Sequence, residues 1–222
     1  MNLRIFDSTD DLIAATARTI AQRVEAGARS IALSGGSTPK PLYELLGRDV
    51  SLAQYPLIWV VVDERYVPFD DPQSNAGMIM RTLFANGIPA GHTFLPFRTD
   101  VGDPHKTADR FEEEYRELGL GALDLVLLGV GDDGHTASLF PGTEALQVED
   151  RIATAVYVPK VEMWRETLTR PTIRAATLRL VLAPGASKRP ILQEVRSGAD
   201  YPIAQATSGV DTWWLVDRAA AG

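Results

Sequence analysis

The sequence predicts an α/β fold, in which helices cover both faces of a mostly parallel β-sheet. Segments typical of strands and of helices alternate along the 222 residues, as they do where crossover helices join parallel strands. Two of the predicted strands, residues 57–62 and 123–128, are almost entirely apolar. Such strands occur at the centre of a parallel sheet, where both faces are buried.

The other elements follow in order. A first strand is expected before Ser8, which is predicted to cap a helix with apolar residues at helical spacing and an end near Gly27. Residues 69–73 and 87–102, rich in Pro, Gly and Asp, are predicted to be surface loops. The remaining predicted strands are 30–33, 152–158, 177–182 and 212–216, and the remaining predicted helices begin at Pro39 or cover 75–84, 104–118 and 187–196.

Composition restricts the function. Apolar residues make up 45% and charged residues 23% of the chain, which is ordinary for a globular protein, and we expect one domain over residues 1–222. The absence of cysteine excludes disulfides, thiol nucleophiles and cysteine metal sites. A net charge of −7 argues against nucleic-acid binding. The N-terminus lacks the apolar stretch of a signal peptide and no segment has the length of a membrane helix, so we expect a cytoplasmic protein that does not bind a membrane. Nothing in the sequence demands an oligomer, and we expect a monomer or a weak homo-oligomer.

The first of three polar turns follows the 30–33 strand. Ligands of open α/β sheets bind beyond the carboxyl ends of the strands, so residues in such turns are candidates for a site. Two glycines allow a close backbone approach, and Thr38 is predicted to cap a helix that begins at Pro39. Hydroxyls and free N–H groups at this turn favour an anion site, although a tight turn without a ligand stays an alternative. The residues of the predicted cradle are Ser34, Gly35, Gly36, Ser37 and Thr38.

The second turn places Asp63, Glu64 and Arg65 directly after the apolar 57–62 strand. Arg65 is suited to bidentate binding of a phosphate. Asp63 is suited to orienting a histidine or to binding a sugar hydroxyl. A solvated loop is the alternative, and Asn75 in the next helix can be read as a simple cap.

The third turn, residues 129–142, contains the sequence G-x-G-x-x-G followed by His135. We reject a dinucleotide site, because Asp132 and Asp133 occupy the place of the pyrophosphate and no acid follows the next strand. An imidazole in this position can accept a proton from water near neutral pH, and Asp133 can fix its tautomer. A histidine that only donates a hydrogen bond within the turn is the alternative.

Other catalytic schemes find little support in the sequence. His92 and His105 lie in polar contexts and are predicted to be surface residues. No serine stands in a G-x-S-x-G elbow. Asp133 and His135 could contribute to a metal site, but no further ligands follow at metal-site spacing, so no required metal or cofactor is expected.

Four segments in order resemble the 6-phosphogluconolactonase family. They are residues 32–39, residues 63–68 with Ser74 and Asn75, residues 129–142, and residues 165–169 followed by 185–188. Together they cover nearly the whole chain. The chain departs from the usual family pattern in two places: Glu166 stands where an apolar residue is common, and Ala186-Ser187 stand where Glu is frequent.

The resemblance implies a fold and a reaction. The fold would be a three-layer, Rossmann-like sheet similar to that of the sugar-phosphate deaminase, ribose-phosphate isomerase and CoA-transferase group. The reaction would be hydrolysis of 6-phospho-D-glucono-1,5-lactone, a small sugar-phosphate lactone, with His135 as the base and Asp63 and Asp133 near it. The resemblance further implies that the phosphate is bound by the 34–38 turn together with Arg65, Arg165 and Lys188.

Two other functions stay open at this stage. Glucosamine-6-phosphate deaminase resembles the chain at the same turns, but its pattern has a glutamate before Pro141-Gly142, where this chain has Phe140. A non-catalytic sugar-phosphate sensor of the same fold usually carries an added DNA-binding segment. Here the sequence opens on a predicted strand and helix of the core, which gives the sensor no support.

Overall fold

The computed structural model describes the backbone of residues 1–222 and the side chains of residues 1–100 and 102–222. Strands and helices alternate as expected. The strands are β1 (Asn2–Phe6), β2 (Ser30–Leu33), β3 (Ile58–Val61), β4 (Asp63–Arg65), β5 (Thr93–Leu95), β6 (Leu125–Leu128), β7 (Ala153–Val158), β8 (Met163–Leu168), β9 (Leu178–Leu182) and β10 (Thr212–Asp217). The helices are α1 (Thr9–Glu25), α2 (Lys40–Leu46), α3 (Asn75–Thr82), α4 (Pro104–Glu117), α5 (Arg170–Ala175), α6 (Arg189–Arg196), α7 (Pro202–Thr207) and α8 (Arg218–Ala221).

The main sheet is parallel throughout, with the order β1-β10-β9-β6-β2-β3-β5. Its central strands β2 and β6 are buried at every residue. Burial of a Leu, Ile or Val side chain stabilises a protein by about 1.5–3 kcal/mol, so these strands anchor the core. The predicted α/β fold with a mostly parallel sheet is confirmed.

Local signals explain the helix that opens the chain. The Ser8 hydroxyl accepts a hydrogen bond from the Asp11 N–H at 3.1 Å, which satisfies one of the free donors at the start of α1. The helix ends at Glu25, and Gly27 then adopts a φ of 112° that only glycine accepts without strain. The apolar face of α1 is buried against the sheet, as its spacing predicts.

A second sheet was not expected from the sequence. Strands β4, β8 and β7 form an antiparallel sheet at the carboxyl end of β3. The predicted 152–158 strand exists as β7, but it belongs to this small sheet. The Leu168 N–H donates to the Val62 carbonyl at 2.8 Å and ties the small sheet to the end of β3.

Two sequence predictions are corrected in detail. The predicted 87–102 loop contains the edge strand β5, which pairs with β3. The helix predicted to begin at Pro39 begins at Lys40, because the Pro39 carbonyl accepts the first helical bond from the Tyr43 N–H. Pro39 is therefore the capping position, and Thr38 lies in the preceding turn rather than at the cap.

Across the described residues, no helix combines the length and the hydrophobicity that a membrane span needs.

Candidate active site

The three polar turns meet in one groove because the strands before them are neighbours. β2 lies between β6 and β3, all three are parallel, and their carboxyl ends therefore share one edge of the sheet. The groove has a volume of about 260 Å³. It is lined by Ser34, Gly35, Gly36, Asp63, Arg65, Asn75, Gly129, Val130, Gly131, His135, Thr136, Ala137 and Lys188.

A histidine–aspartate pair lies at one end of the groove. The His135 Nδ1 atom is 2.5 Å from Asp133 Oδ1, and Lys160 Nζ is 2.6 Å from Asp133 Oδ2. Partial burial acts to raise the pKa of Asp133, but the hydrogen bonds from Lys160 and His135 outweigh it and hold that pKa well below its usual range. Since Asp133 is an anion, Nδ1 carries a proton and donates it, which leaves Nε2 of His135 as the basic nitrogen.

Packing fixes the imidazole from a second direction. The Phe140 ring stacks on the His135 ring with their centroids 4.1 Å apart and their planes at 15°. Gly131 supplies the space for the pair, because a Cβ atom at this position would lie 2.0 Å from His135 Nδ1. Gly134 has a φ of 74° and packs against Tyr201. The G-x-G-x-x-G pattern therefore serves the geometry of the histidine loop.

Asp63 lines the groove but does not bond to His135 within the described contacts. Its carboxylate is 7% exposed and accepts a hydrogen bond from the Ser138 hydroxyl at 2.8 Å. The Asn75 amide donates to the Asp63 backbone carbonyl at 2.7 Å and lies 3.5 Å from Oδ1. Asn75 is therefore more than a helix cap, and the capping residue of α3 is Ser74.

The two glycines of the 34–38 turn are required for different structural reasons. Gly36 adopts a φ of 95°, which favours glycine. Gly35 makes room for a side chain, since a Cβ there would lie 1.8 Å from Asn75 Oδ1. The buried Tyr43 hydroxyl donates to the Ser34 carbonyl at 2.6 Å and holds the turn against α2. The turn is thus fixed in position with its hydroxyls and N–H groups near the groove.

Two guanidinium groups lie on adjacent strands beside this turn. Arg65 in β4 and Arg165 in β8 are direct cross-strand partners. Burial lowers the pKa of Arg165, and the neighbouring Arg65 charge lowers it further. The Nε atoms of both residues are buried without a hydrogen-bond partner among the described residues. Arg65 donates through Nη1 to the Gln73 carbonyl at 2.8 Å, so its guanidinium is only partly satisfied. Guanidinium nitrogens that lack a partner favour binding of an anion.

A third cation comes from the far side of the groove. Lys188 Nζ is 2.8 Å from Asp132 Oδ1, so Asp132 holds this ammonium at the rim. The turn that carries Lys188 is anchored by Asp217, whose carboxylate accepts the Gly185 N–H at 3.0 Å. Burial acts to raise the pKa of Asp217, but hydrogen bonds from Gly185, Ala220 and Thr9 prevail and lower it.

The structure brings together most of the residues predicted from the sequence, although not all. Arg165 and Thr38 are not among the lining residues, and Asp133 meets the groove only through His135. Ser37 borders an adjacent cavity of about 770 Å³ that shares the walls Gly36, Arg65 and Asn75 with the groove. Glu64 proves to be structural, because its buried carboxylate accepts the N–H groups of residues 65, 75 and 76. Residues that sequence reasoning missed or undervalued are Asn75, Ser138, Phe140 and Lys160.

The other two histidines, His92 and His105, differ in their exposure to solvent. His105 is exposed at the start of α4, as predicted. His92 is half-buried rather than a surface residue, and it accepts the Trp59 indole N–H at 3.1 Å while facing the Leu52 carbonyl. Among the described side chains, no group of three or more His, Asp or Glu has the arrangement of a metal site. The expectation that no metal is required stays a prediction.

The fold and the groove define a class of α/β proteins with a histidine–aspartate pair and grouped cations at the carboxyl edge of a parallel sheet. A family model described as "Glucosamine-6-phosphate isomerases/6-phosphogluconolactonase" matches residues 7–214. The chain belongs to this family, and the resemblance noted from its motifs is confirmed.

Individual relatives agree with this assignment. A 6-phosphogluconolactonase from Synechocystis sp. is 39% identical over 221 residues, which cover 94% of this chain and 90% of the relative. The solved structure of 6-phosphogluconolactonase from Trypanosoma cruzi superposes with a TM-score of 0.85 at 28% identity, covering 99% of this chain and 95% of that one. A monomeric glucosamine-6-phosphate deaminase, 24% identical with a TM-score of 0.82 over 100% of this chain and 99% of that chain, shares the fold.

Proposed function

We propose that this chain is a 6-phosphogluconolactonase. It hydrolyses 6-phospho-D-glucono-1,5-lactone to 6-phosphogluconate, the second step of the oxidative pentose phosphate pathway, in the cytoplasm and without a cofactor. One observation carries the proposal: His135, oriented by Asp133, shares a groove with a glycine-rich turn and with the cations Arg65 and Lys188. The names of the relatives support the same reaction.

The phosphate of the substrate binds at the cationic end of the groove. Ser34, Gly35 and Gly36 of the turn and the cations Arg65 and Lys188 line the groove, Ser37 borders the adjacent cavity, and Arg165 adds its charge from the next strand. An acidic chain with a net charge of −7 repels anions as a whole, so local cations and N–H groups are needed to hold a dianion. This binding energy positions the lactone carbonyl next to His135.

Hydrolysis then follows general-base chemistry. Nε2 of His135 takes a proton from water while the water oxygen bonds to the lactone carbonyl carbon. The carbon–ring oxygen bond breaks as the tetrahedral intermediate collapses, and the imidazolium returns the proton to the departing ring oxygen. The carboxylic acid that forms loses its proton to solvent, so one acid equivalent appears for each turnover. Asp133 stabilises the imidazolium that forms during the reaction.

The surroundings of His135 favour this reaction over deamination. The deaminase pattern has a glutamate where this chain has Phe140, and the phenyl ring stacks on the imidazole. A phenyl ring accepts and donates no proton, so a carboxylate relay through this position is absent. The proposal therefore predicts lactone hydrolysis without turnover of glucosamine 6-phosphate.

The test compares three substrates on one enzyme. Acid release from freshly made 6-phosphogluconolactone is followed against a buffer blank, with glucono-1,5-lactone as the matched substrate that lacks the phosphate. We expect kcat/KM to be roughly 10²-fold or more higher for the phosphorylated lactone, because two charge-assisted hydrogen bonds contribute about 1.5–3 kcal/mol each. Ammonia release from glucosamine 6-phosphate is measured in parallel. Hydrolysis no faster than the blank would reject the proposal, and ammonia release would replace it with the deaminase.

A glycine substitution tests the geometry of the loop. Gly131→Ala should lower kcat by roughly 10²-fold, because the new Cβ would displace His135 Nδ1 and Asp133 Oδ1, which lie 2.0 and 2.8 Å from its position. Gly131 does not have a positive φ, so the backbone tolerates alanine. Gly121→Ala is the matched control, since its Cβ meets no atom within 4 Å. Equal kcat values for the two folded variants would contradict the expected role of Gly131.

A further inference from the structure

We propose that Lys160 is a positioning residue of this active site, acting on His135 through Asp133. The inference rests on the proposed function, since it concerns the base of that reaction. The Lys160 ammonium binds one carboxylate oxygen of Asp133 and the imidazole binds the other, at 2.6 and 2.5 Å. Lys160 lies 27 residues from Asp133 in sequence and reaches it from the small antiparallel sheet.

The turn that carries Lys160 is well defined. It consists of the 3₁₀ turn Pro159–Val161 between β7 and β8, and Glu162 follows in the left-handed region with a φ of 48°. Six cross-strand residue pairs connect β7 and β8 below this turn. The hairpin therefore presents Lys160 from a fixed base, although 64% of its side chain is exposed to solvent.

Three donors on two oxygens fix the carboxylate of Asp133. The imidazole and the backbone N–H of His135 bind Oδ1, at 2.5 and 3.2 Å, whereas Lys160 is the one donor on Oδ2 among the described residues. Without Lys160, Oδ2 is free, and the carboxylate can rotate about its Cβ–Cγ bond and exchange Oδ1 for Oδ2 or for water. With Lys160 on Oδ2, Oδ1 stays directed at His135 Nδ1, and the basic Nε2 keeps its direction. A single contact from the Lys160 ammonium therefore holds the base in the orientation that the reaction needs.

Lys160 also offsets a negative charge beside the imidazole. The strand β4 contributes Asp63 and Arg65 to the groove, and Lys188 is paired with Asp132 of the histidine loop. The face of the imidazole toward Phe140 is uncharged, and Tyr201, just before α7, packs on the loop and bonds to Glu194. Among the described residues, Lys160 is the cation that contacts Asp133, the carboxylate bonded to the imidazole. Loss of Lys160 leaves this negative charge uncompensated, which favours the protonated imidazolium and removes the free base.

The experiment compares Lys160→Met and Lys160→Arg with the wild type. For Lys160→Met we expect the acidic limb of kcat/KM against pH to move up by about 0.5–1 pH unit, and kcat to fall several-fold while KM changes little. Lys160→Arg keeps a cation in reach and should restore both. Glu162→Gln is the matched control, since it changes one charge on the same hairpin, and Glu162 makes no hydrogen bond or ion pair with Asp133 among the described residues.

A readout independent of turnover separates this inference from the proposed function. The titration of the His135 imidazole by NMR should have its midpoint at higher pH in Lys160→Met than in the wild type. An unchanged midpoint and an unchanged acidic limb would overturn the role of Lys160 while leaving lactone hydrolysis intact. Equal shifts in Lys160→Met and Glu162→Gln would also overturn it. If the wild type fails to hydrolyse the lactone, the proposed function fails, and the NMR shift still reports on the Lys160–Asp133–His135 chain.

Discussion

His135→Gln should lower kcat for 6-phosphogluconolactone hydrolysis by roughly 10²–10⁴-fold, the usual contribution of a positioned general base. Glutamine has a similar size and can still meet the Phe140 ring and donate to Asp133, but it accepts no proton at neutral pH. KM should change little, because the proposal assigns phosphate binding to Arg65, Lys188 and the 34–38 turn rather than to His135. The measurement is steady-state acid release, corrected for spontaneous hydrolysis of the lactone.

His105 provides a matched control for the substitution of His135. His105 is exposed at the first turn of α4 and packs edge-on against Trp164, outside the groove. His105→Gln should therefore retain the wild-type kcat. Wild-type-like kcat in a folded His135→Gln protein would move the base elsewhere, and Asp63 would then be the remaining carboxylate that lines the groove.

The position of the site could be predicted because it depends on few assumptions. Parallel strands end at one edge, so polar residues after apolar strands had to lie along the same edge of the sheet. Ser34, Asp63 and His135 follow three such strands. The order that makes these strands neighbours, with β2 between β6 and β3, depends on tertiary packing that periodicity does not report.

The small antiparallel sheet could not be predicted from the sequence. β4 consists of Asp63, Glu64 and Arg65, three charged residues that carry no strand pattern. β8 mixes aromatic, charged and apolar residues, and its buried half contains Glu166. Without these strands, nothing could link Lys160 to Asp133. An exposed lysine in a turn is ordinarily a solvated side chain, so its contact with the histidine–aspartate pair is visible only in the folded chain.

Glu166 is the residue whose replacement should stabilise the protein most. Its side chain is fully buried, and neither carboxylate oxygen has a hydrogen-bond partner among the described residues. Burial raises the pKa of this carboxyl from 4.5 to about 9, and the distant Arg151 charge offsets only part of the effect. The group is therefore protonated in the folded protein at neutral pH, whereas it is ionised in the unfolded chain.

The sign of the pH effect follows from these two states. Below pH 4.5 both states are protonated, so Glu166 causes no pH-dependent loss. As pH rises from 4.5 to 9, only the unfolded chain gives up its proton, and the free energy of unfolding falls by about 1.4 kcal/mol per pH unit. At pH 7 the loss from this one residue amounts to roughly 3 kcal/mol, a large share of the 5–15 kcal/mol typical of a folded protein.

Two replacements separate charge from polarity at this position. Glu166→Gln keeps the shape and cannot ionise, so its gain in unfolding free energy should be about 0.8 kcal/mol at pH 5 and roughly 3 kcal/mol at pH 7. Glu166→Leu also removes the buried polar atoms and should gain about 1–3 kcal/mol more at both pH values. Urea unfolding of the three proteins at pH 5, 7 and 8.5 measures these differences, which isolate Glu166 from every other titrating group. A pH-independent difference between wild type and Glu166→Gln would show that the carboxyl ionises without cost in the folded state.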